Sequence, residues 1–324
     1  MTGFFGTRLL SVAMQRDIFT HLYHSPQTFE QTRDYLKFPD RPCRIFLDGL
    51  VVLGLLAKEG DRYRNSAVAE TYLVKGRPEF QGANVKLFGS LYDACRELEA
   101  ALVSDSPTTT SFAYFFGDDD ASSANYAEIM HESGVVPSLL LMEHWDFSES
   151  EWLLDVGGGS GRLAATLASQ YASLNVILFD LPPICDQAQD YLTPFPALSN
   201  RVEIYPGDFF RDDLPDGADT IVMMRVLHDW PDDTVRMLLR KAYKALRPGG
   251  RLLVYETMRR SDDKPDETFA ISMLMLLISP AGKIRSFREI SDLVREARFT
   301  NVEVIPTAYL YSLIVGEKPN VGDR

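Results

Sequence analysis

LLDVGGGSG, residues 153–161, is an apolar run that stops abruptly at glycine. Trp152, Leu153, Leu154 and Val156 have the makeup of a buried strand, and Leu163, Leu167 and Ala168 then recur at helical spacing, so the glycines form a strand-to-helix turn. Gly157, Gly159 and Gly161 tolerate positive φ and carry no side chain, which lets a ligand approach bare backbone. The N–H groups that open the following helix favour a negative group such as a carboxylate.

The spacing is G-x-G-x-G. A dinucleotide fingerprint, G-x-G-x-x-G, counted from Gly157 needs glycine where Arg162 stands. A nucleophile elbow centred on Ser160 needs it at the same place, so Ser160 is not read as a hydrolase nucleophile. Taken by itself the turn could instead serve only close packing of helix on strand, and the residues downstream argue for a ligand.

Asn175–Phe179 (NVILF) reads as a second buried strand and ends in Asp180, nineteen residues after Gly161, where a carboxylate can accept from both ribose hydroxyls. A third strand, Val202–Tyr205, leads into Gly207-Asp208-Phe209-Phe210. There an acid can accept from an adenine amine while a ring packs on the base. Successive strand ends marked by glycine or an acid lie on one edge of a parallel sheet, the edge at which open α/β folds bind ligands. The combination predicts S-adenosylmethionine as cofactor and methyl transfer from it, leaving S-adenosylhomocysteine.

A fourth strand, Thr220–Met224, is followed by Arg225-Val226-Leu227-His228-Asp229-Trp230-Pro231, so His228 falls in a loop at the same edge. The next helix, with Pro231 at its first position and Val235, Leu238, Leu239, Ala242 and Leu246 on its apolar face, ends at Pro248-Gly249-Gly250. Asp232 and Asp233 suit its N-terminus and need bind no metal. The other histidines, His21, His24, His131 and His144, all precede the glycine turn, which leaves His228 as the natural general base. A phenol, with a pKa near ~10, is mostly protonated at neutral pH and benefits from a positioned imidazole. A fifth strand, Arg251–Tyr255, ends at Glu256, which can reach the ring nitrogen of His228 that faces away from the substrate and fix its tautomer.

With these residues the chain resembles the plant-type small-molecule O-methyltransferases and their bacterial relatives, among them the caffeate, hydroxyneurosporene and acetylserotonin methyltransferases. The matching segments are LLDVGGGSG, FDLPP at 179–183, GDFF at 207–210, RVLHDWPDD at 225–233, LRPGG at 246–250, YET at 255–257 and AGKIRS at 281–286. The resemblance implies an α/β fold, a doubly wound, Rossmann-like sheet of seven strands preceded by a mostly helical, winged-helix-like dimerisation domain. It implies that Gly157, Gly159, Gly161, Asp180, Leu181, Asp208, Phe209, Met224 and Arg225 surround S-adenosylmethionine, without metal. His228 is then the proton acceptor, with Asp229 and Glu256 beside it. Over the acceptor it implies Phe112, Phe116, Tyr126 and Met130, from the aromatic-rich stretch Thr108–Met142, together with Trp230, Met275 and Ser279. Such a lining suits a planar phenolic substrate.

One departure stands out. The family pattern near AGKIRS carries a second glutamate bracketing the histidine, and Ile284 occupies that position, leaving Glu256 as the orienting acid. N- or C-methylation in the same pocket, or cofactor binding with altered chemistry, is the alternative this leaves open. Ser286 and Glu289 form a helix capping box, so Glu289 does not replace the missing acid.

Residues 1–104 differ in character from 105–324, and two domains are expected with that boundary. The first reads as helices Leu9–Leu22, Thr28–Leu36 and Pro42–Leu56, a turn at 58–61 and a strand Arg62–Arg64, the outline of a winged helix. DNA binding is therefore the rival reading. Through Ser104 there are thirteen Lys plus Arg against twelve Asp plus Glu, and beyond it twenty against thirty-four, for a total of −13. Neither part is the basic surface that phosphate binding requires, and no nucleic-acid partner is expected. Homodimerisation, as the resemblance implies, is the preferred role, with Phe4, Phe5, Leu9, Leu10 and Met14 as candidate partner-facing residues.

With 45% apolar residues in 324, both domains can build cores. The apolar stretch Thr268–Gly282 lacks charge over fifteen residues but is broken by Pro280, too short to span a membrane. Arg8 interrupts the early apolar segment, so no signal peptide is expected. Three widely spaced cysteines, Cys43, Cys95 and Cys185, fit a reducing cytoplasm and offer no zinc spacing.

Overall fold

The computed structural model describes residues 3–77, 79–82, 84–86, 89, 92, 95–107, 129–262, 264–307, 310–320 and 322. It divides into two units, Met1–Arg96 and Glu97–Arg324. The division falls ahead of residue 104 because the helix Leu98–Ser104 packs against the helix Phe269–Ile278 of the second unit.

In the first unit α1 (Gly3–Gln15), α2 (Ile18–Tyr23), β1 (Gln27–Thr28), α3 (Phe29–Leu36), α4 (Asp40–Val52), β2 (Leu56–Glu59), β3 (Arg62–Asn65) and α5 (Ala67–Tyr72) follow in order. The strands form an antiparallel sheet of order β1-β3-β2. Two expected helices are shorter than their apolar patterns suggest. Leu9–Leu22 is split because Asp17 takes a left-handed φ of 53°, and the helix beginning near Pro42 stops before Gly54, at φ 71°, so Leu56 opens β2 instead. Leu9, Leu10 and Met14, expected to face a partner, pack on this unit's own core around Phe19, Leu47 and Tyr63, whereas Phe4 and Phe5 are exposed.

The second unit holds α6 (Leu98–Ser104), α7 (Val135–His144), β4 (Trp152–Val156), α8 (Arg162–Gln170), β5 (Asn175–Asp180), α9 (Pro182–Leu192), α10 (Pro196–Ser199), β6 (Val202–Pro206) and β7 (Thr220–Met224). After these come α11 (Asp232–Ala245), β8 (Arg251–Thr257), α12 (Phe269–Ile278), α13 (Phe287–Glu296), β9 (Thr300–Pro306) and β10 (Tyr311–Glu317). Pro231 is the residue before α11 rather than its first position. The sheet has seven strands in the order β6-β5-β4-β7-β8-β10-β9, parallel except for β10, which runs against both neighbours.

Strand side chains alternate between two cores, as the period of two demands. Leu154, Ile221, Met223, Leu252 and Val254 meet α11 and α13 on one face, while Leu153, Val222, Leu253 and Tyr255 meet α8 and α9 on the other. This is a doubly wound, Rossmann-like sheet. Strand order reverses between β4 and β7, so a crevice opens beyond their carboxyl ends, flanked by the glycine turn after β4 and the His228 loop after β7. Among the described residues no helix is long and apolar enough to cross a membrane.

Candidate active site

The turn after β4 is pressed onto the strand ends beneath it. Gly157 has φ 71°, and a Cβ there would lie 2.8 Å from Val226, so the glycine turn rests on the residue that leads into the His228 loop. At Gly159, φ 58°, a Cβ would meet nothing within 4 Å among the described residues, which leaves the outer side of the turn open. Asp180 at the end of β5 accepts from the Gly159 N–H at 2.8 Å and, through its other oxygen, from the Leu181 N–H at 2.7 Å. Burial pushes its carboxyl above the usual range, against those two bonds.

Asp208 lies in the loop after β6. Its Oδ1 accepts from the Phe210 N–H at 2.8 Å, and its own N–H donates to Asp212 at 2.8 Å. Lys241 of α11 secures the loop by donating to the carbonyls of Phe209, at 2.8 Å, and Asp212, at 2.5 Å. The rings of Phe209 and Phe210 meet Trp230 edge to face, with centroids 5.8 and 4.8 Å away, which joins this loop to the one that carries His228.

Met224 ends β7, and Arg225 then takes a left-handed φ of 60°, uncommon for a long side chain and a mark of local strain. Its Nη1 donates to Ser133 Oγ at 3.0 Å. A single 3₁₀ turn, Leu227–Asp229, follows. Glu256 lies within β8, opposite Ser312 of β10, rather than beyond the strand's end as expected, and it is only 2% exposed. Its Oε1 accepts from the N–H groups of Val226, at 2.8 Å, and Leu227, at 2.7 Å, while Oε2 pairs with Nδ1 of His228. The other ring nitrogen, Nε2, stands 3.6 Å from Asp229 Oδ1. Burial disfavours the imidazolium, but Glu256 and Asp229 outweigh it and raise the His228 pKa to about 9, with Arg225 opposing. Burial likewise raises the carboxyl of Asp229.

Ser279 donates to the carbonyl of Asp229 at 3.4 Å and accepts from the Gly282 N–H at 2.8 Å. It lines a cavity of about 580 Å³ with Ser272, Leu276, Ile284, Lys283 and Arg259. Met275 is buried one turn earlier on α12. Met130 is half-buried, and its carbonyl accepts from Ser133 Oγ at 3.1 Å. Phe112, Phe116 and Tyr126 lie outside the described residues.

Three site features were not assigned from sequence. Asp155 is 1% exposed under the glycine turn, and its Oδ2 has no hydrogen-bond partner among the described residues. Burial, then neighbouring Asp180, pushes its pKa up to about 7. An acid inside an apolar strand was the available signal. Ser160 bonds to Nδ1 of His131 at 2.8 Å, and the His131 ring stacks on Tyr191 with centroids 3.9 Å apart. Burial, then Arg162, lowers the His131 pKa to about 4, so this imidazole is neutral at physiological pH. The third is Arg285, buried against the carbonyls of the His228 turn.

A family model of the O-methyltransferase domain matches residues 88–300. The chain belongs to the O-methyltransferase family. One member, the tetracenomycin polyketide synthesis 8-O-methyl transferase TcmO of Streptomyces glaucescens, is 32% identical over 98% of this chain and 94% of its own. The 3-hydroxy-5-methyl-1-naphthoate 3-O-methyltransferase of Streptomyces sahachiroi is 30% identical over 94% of this chain and 89% of its own. Human N-acetylserotonin methyltransferase, solved in complex with S-adenosylmethionine, superposes with a TM-score of 0.86 at 25% identity, covering 98% of this chain and 95% of the human one. Members of this S-adenosylmethionine-dependent family act on small molecules. The residues at the crevice fit that donor: an open glycine turn, carboxylates at successive strand ends, and the unpartnered buried oxygen of Asp155, which suits an ammonium.

Proposed function

We propose that this protein methylates a hydroxyl of a small aromatic acceptor, with His228 taking the hydroxyl proton. The pairing of His228 Nδ1 with Glu256 Oε2, at the crevice edge, carries the reading. Glu256 is anchored by two backbone N–H groups and receives the Nδ1 proton, so the neutral imidazole holds its lone pair on Nε2. A phenol near ~10 and an imidazole held near 9 exchange a proton almost evenly, and Glu256 with Asp229 stabilises the imidazolium that results.

Bound S-adenosylmethionine supplies an electrophilic methyl group on a sulfonium. Asp180 and Leu181 hold the ribose end, Asp208 and Phe209 the adenine, and the backbone at Gly157, Gly159 and Gly161 the carboxylate. Met224 and Arg225 complete that side, while Asp155 accepts from the amino group. Met130, Trp230, Met275 and Ser279 line the acceptor side; no metal takes part. The first unit forms a homodimer contact through Phe4, Phe5 and their exposed neighbours. The naphthoate acceptor named for the Streptomyces sahachiroi relative supports the aromatic assignment.

Labelled methyl transfer to a panel of phenols, catechols, hydroxyquinones and amines tests the reading. Product should form on a hydroxyl and persist in EDTA. His228→Ala should reduce kcat about 10²–10⁴-fold at unchanged cofactor affinity. Equal rates in wild type and variant would remove His228 from the chemistry, and turnover confined to amines would overturn O-methylation.

A further inference from the structure

Arg285 is 2% exposed, and its guanidinium is committed to the turn that carries His228. Nη1 donates to the carbonyl of Leu227 at 3.0 Å, Nη2 to the carbonyl of Trp230 at 2.7 Å, and Nε to Asp232 Oδ1 at 2.8 Å. Leu227 and Trp230 flank His228-Asp229, so one planar fork spans both ends of the turn. Glu256 binds the N–H groups of the same segment and the imidazole itself. The turn is therefore clamped by a carboxylate on its N–H groups and by a guanidinium on its carbonyls.

Burying a cation is costly, and well-packed apolar residues of similar volume often stabilise a fold as well or better. Stability alone gives little reason for a guanidinium here. Lysine has the charge but not the fixed donor geometry needed to reach Leu227, Trp230 and Asp232 together.

We infer that Arg285 is a positioning residue for His228: it fixes residues 227–230 so that Nδ1 stays on Glu256 and Nε2 is presented to the acceptor. This rests on the reading of His228 as the proton acceptor. The charged groups facing the imidazole are Glu256 on β8, Asp229 on the turn itself and Arg225 at the end of β7. A loosened turn weakens its contact with Glu256 first, because that bond needs the ring held in one orientation.

The test compares wild type, Arg285→Lys and Asp232→Asn, the last leaving the arginine but removing its carboxylate. Cofactor affinity by calorimetry, kcat and KM on an accepted phenol, and the His228 titration by NMR of histidine-labelled protein are measured, with the signal assigned by its loss in His228→Gln. For Arg285→Lys, kcat should fall about 10- to 100-fold with cofactor Kd unchanged. The His228 midpoint should drop from about 9 toward the ordinary 6.5. Asp232→Asn should move both in the same direction by less. A lower Tm with wild-type kcat and midpoint in Arg285→Lys overturns the inference, and if that variant does not fold, unchanged values in Asp232→Asn do so. The NMR midpoint is read without turnover, so wild-type rates in His228→Gln would refute the proton-acceptor reading while leaving Arg285's hold on the imidazole separately decided.

Discussion

As pH rises Asp155 becomes charged and His228 becomes neutral, yet the raised pKa of each acts on stability in the same direction. The Asp155 carboxyl is raised from 3.8 to about 7, so between those values the folded chain holds a proton that the unfolded chain has released. Stability should fall across that window as pH rises. His228 is raised from 6.5 to about 9; its contribution is full below 6.5 and is lost as pH climbs through about 9. Melting of the ligand-free protein from pH 4 to 10 should therefore decline in two stages, with Asp155→Asn flattening the first and His228→Gln the second. Cofactor binding should release a proton near neutral pH if an ammonium reaches Asp155, visible in calorimetry as a buffer-dependent heat that Asp155→Asn removes. As the proposed proton acceptor His228 must be unprotonated to act, so kcat/KM should rise with pH through about 9. Glu256→Gln keeps an acceptor for Val226 and Leu227 yet removes the charge, so this rise should move to lower pH while kcat falls ~10²–10⁴-fold.

At the scale of elements, two glycines of one turn should behave differently. Gly157→Ala forces a side chain into a left-handed φ of 71° and against Val226 at 2.8 Å, and should destabilise by about 1–3 kcal/mol or more. Gly159→Ala meets the same kind of strain without the clash, so denaturant melts should show the smaller loss. It would still crowd the open side of the turn, and cofactor affinity should drop. These differences were not readable from G-x-G-x-G, although the strand, the turn and α8 were, because apolar periodicity and glycine are local signals. Where distant chain intervened, locality failed. Glu256 reads as a strand end until β10, more than fifty residues later, extends β8 past it. Ser160 with His131, and Arg285 with Leu227, join positions 29 and 58 apart, with no pattern to announce them. The helix breaks at Asp17 and Gly54 were hidden because apolar residues continue on both sides of each.

For the molecule as a whole, a net charge of −13 argues against a polyanion partner, and a low-salt gel shift should detect no sequence-selective DNA binding. Homodimerisation is expected in light scattering, and Phe5→Asp with Val52→Asp, at positions 65% and 86% exposed, should yield monomers with an unchanged circular dichroism spectrum. The antiparallel strand β10 adds a constraint in time. β8, which carries Glu256, acquires its second neighbour when residues 311–317 arrive, long after the glycine turn and the His228 loop have been synthesised. On the ribosome the donor-side half of the sheet can assemble early, whereas the acid that orients the imidazole waits for a strand still inside the exit tunnel. Nascent chains arrested before residue 311 should thus shield the first strands from protease but leave β8 open to cleavage, which makes the protein's maturation vectorial, with its acid–base pair completed late.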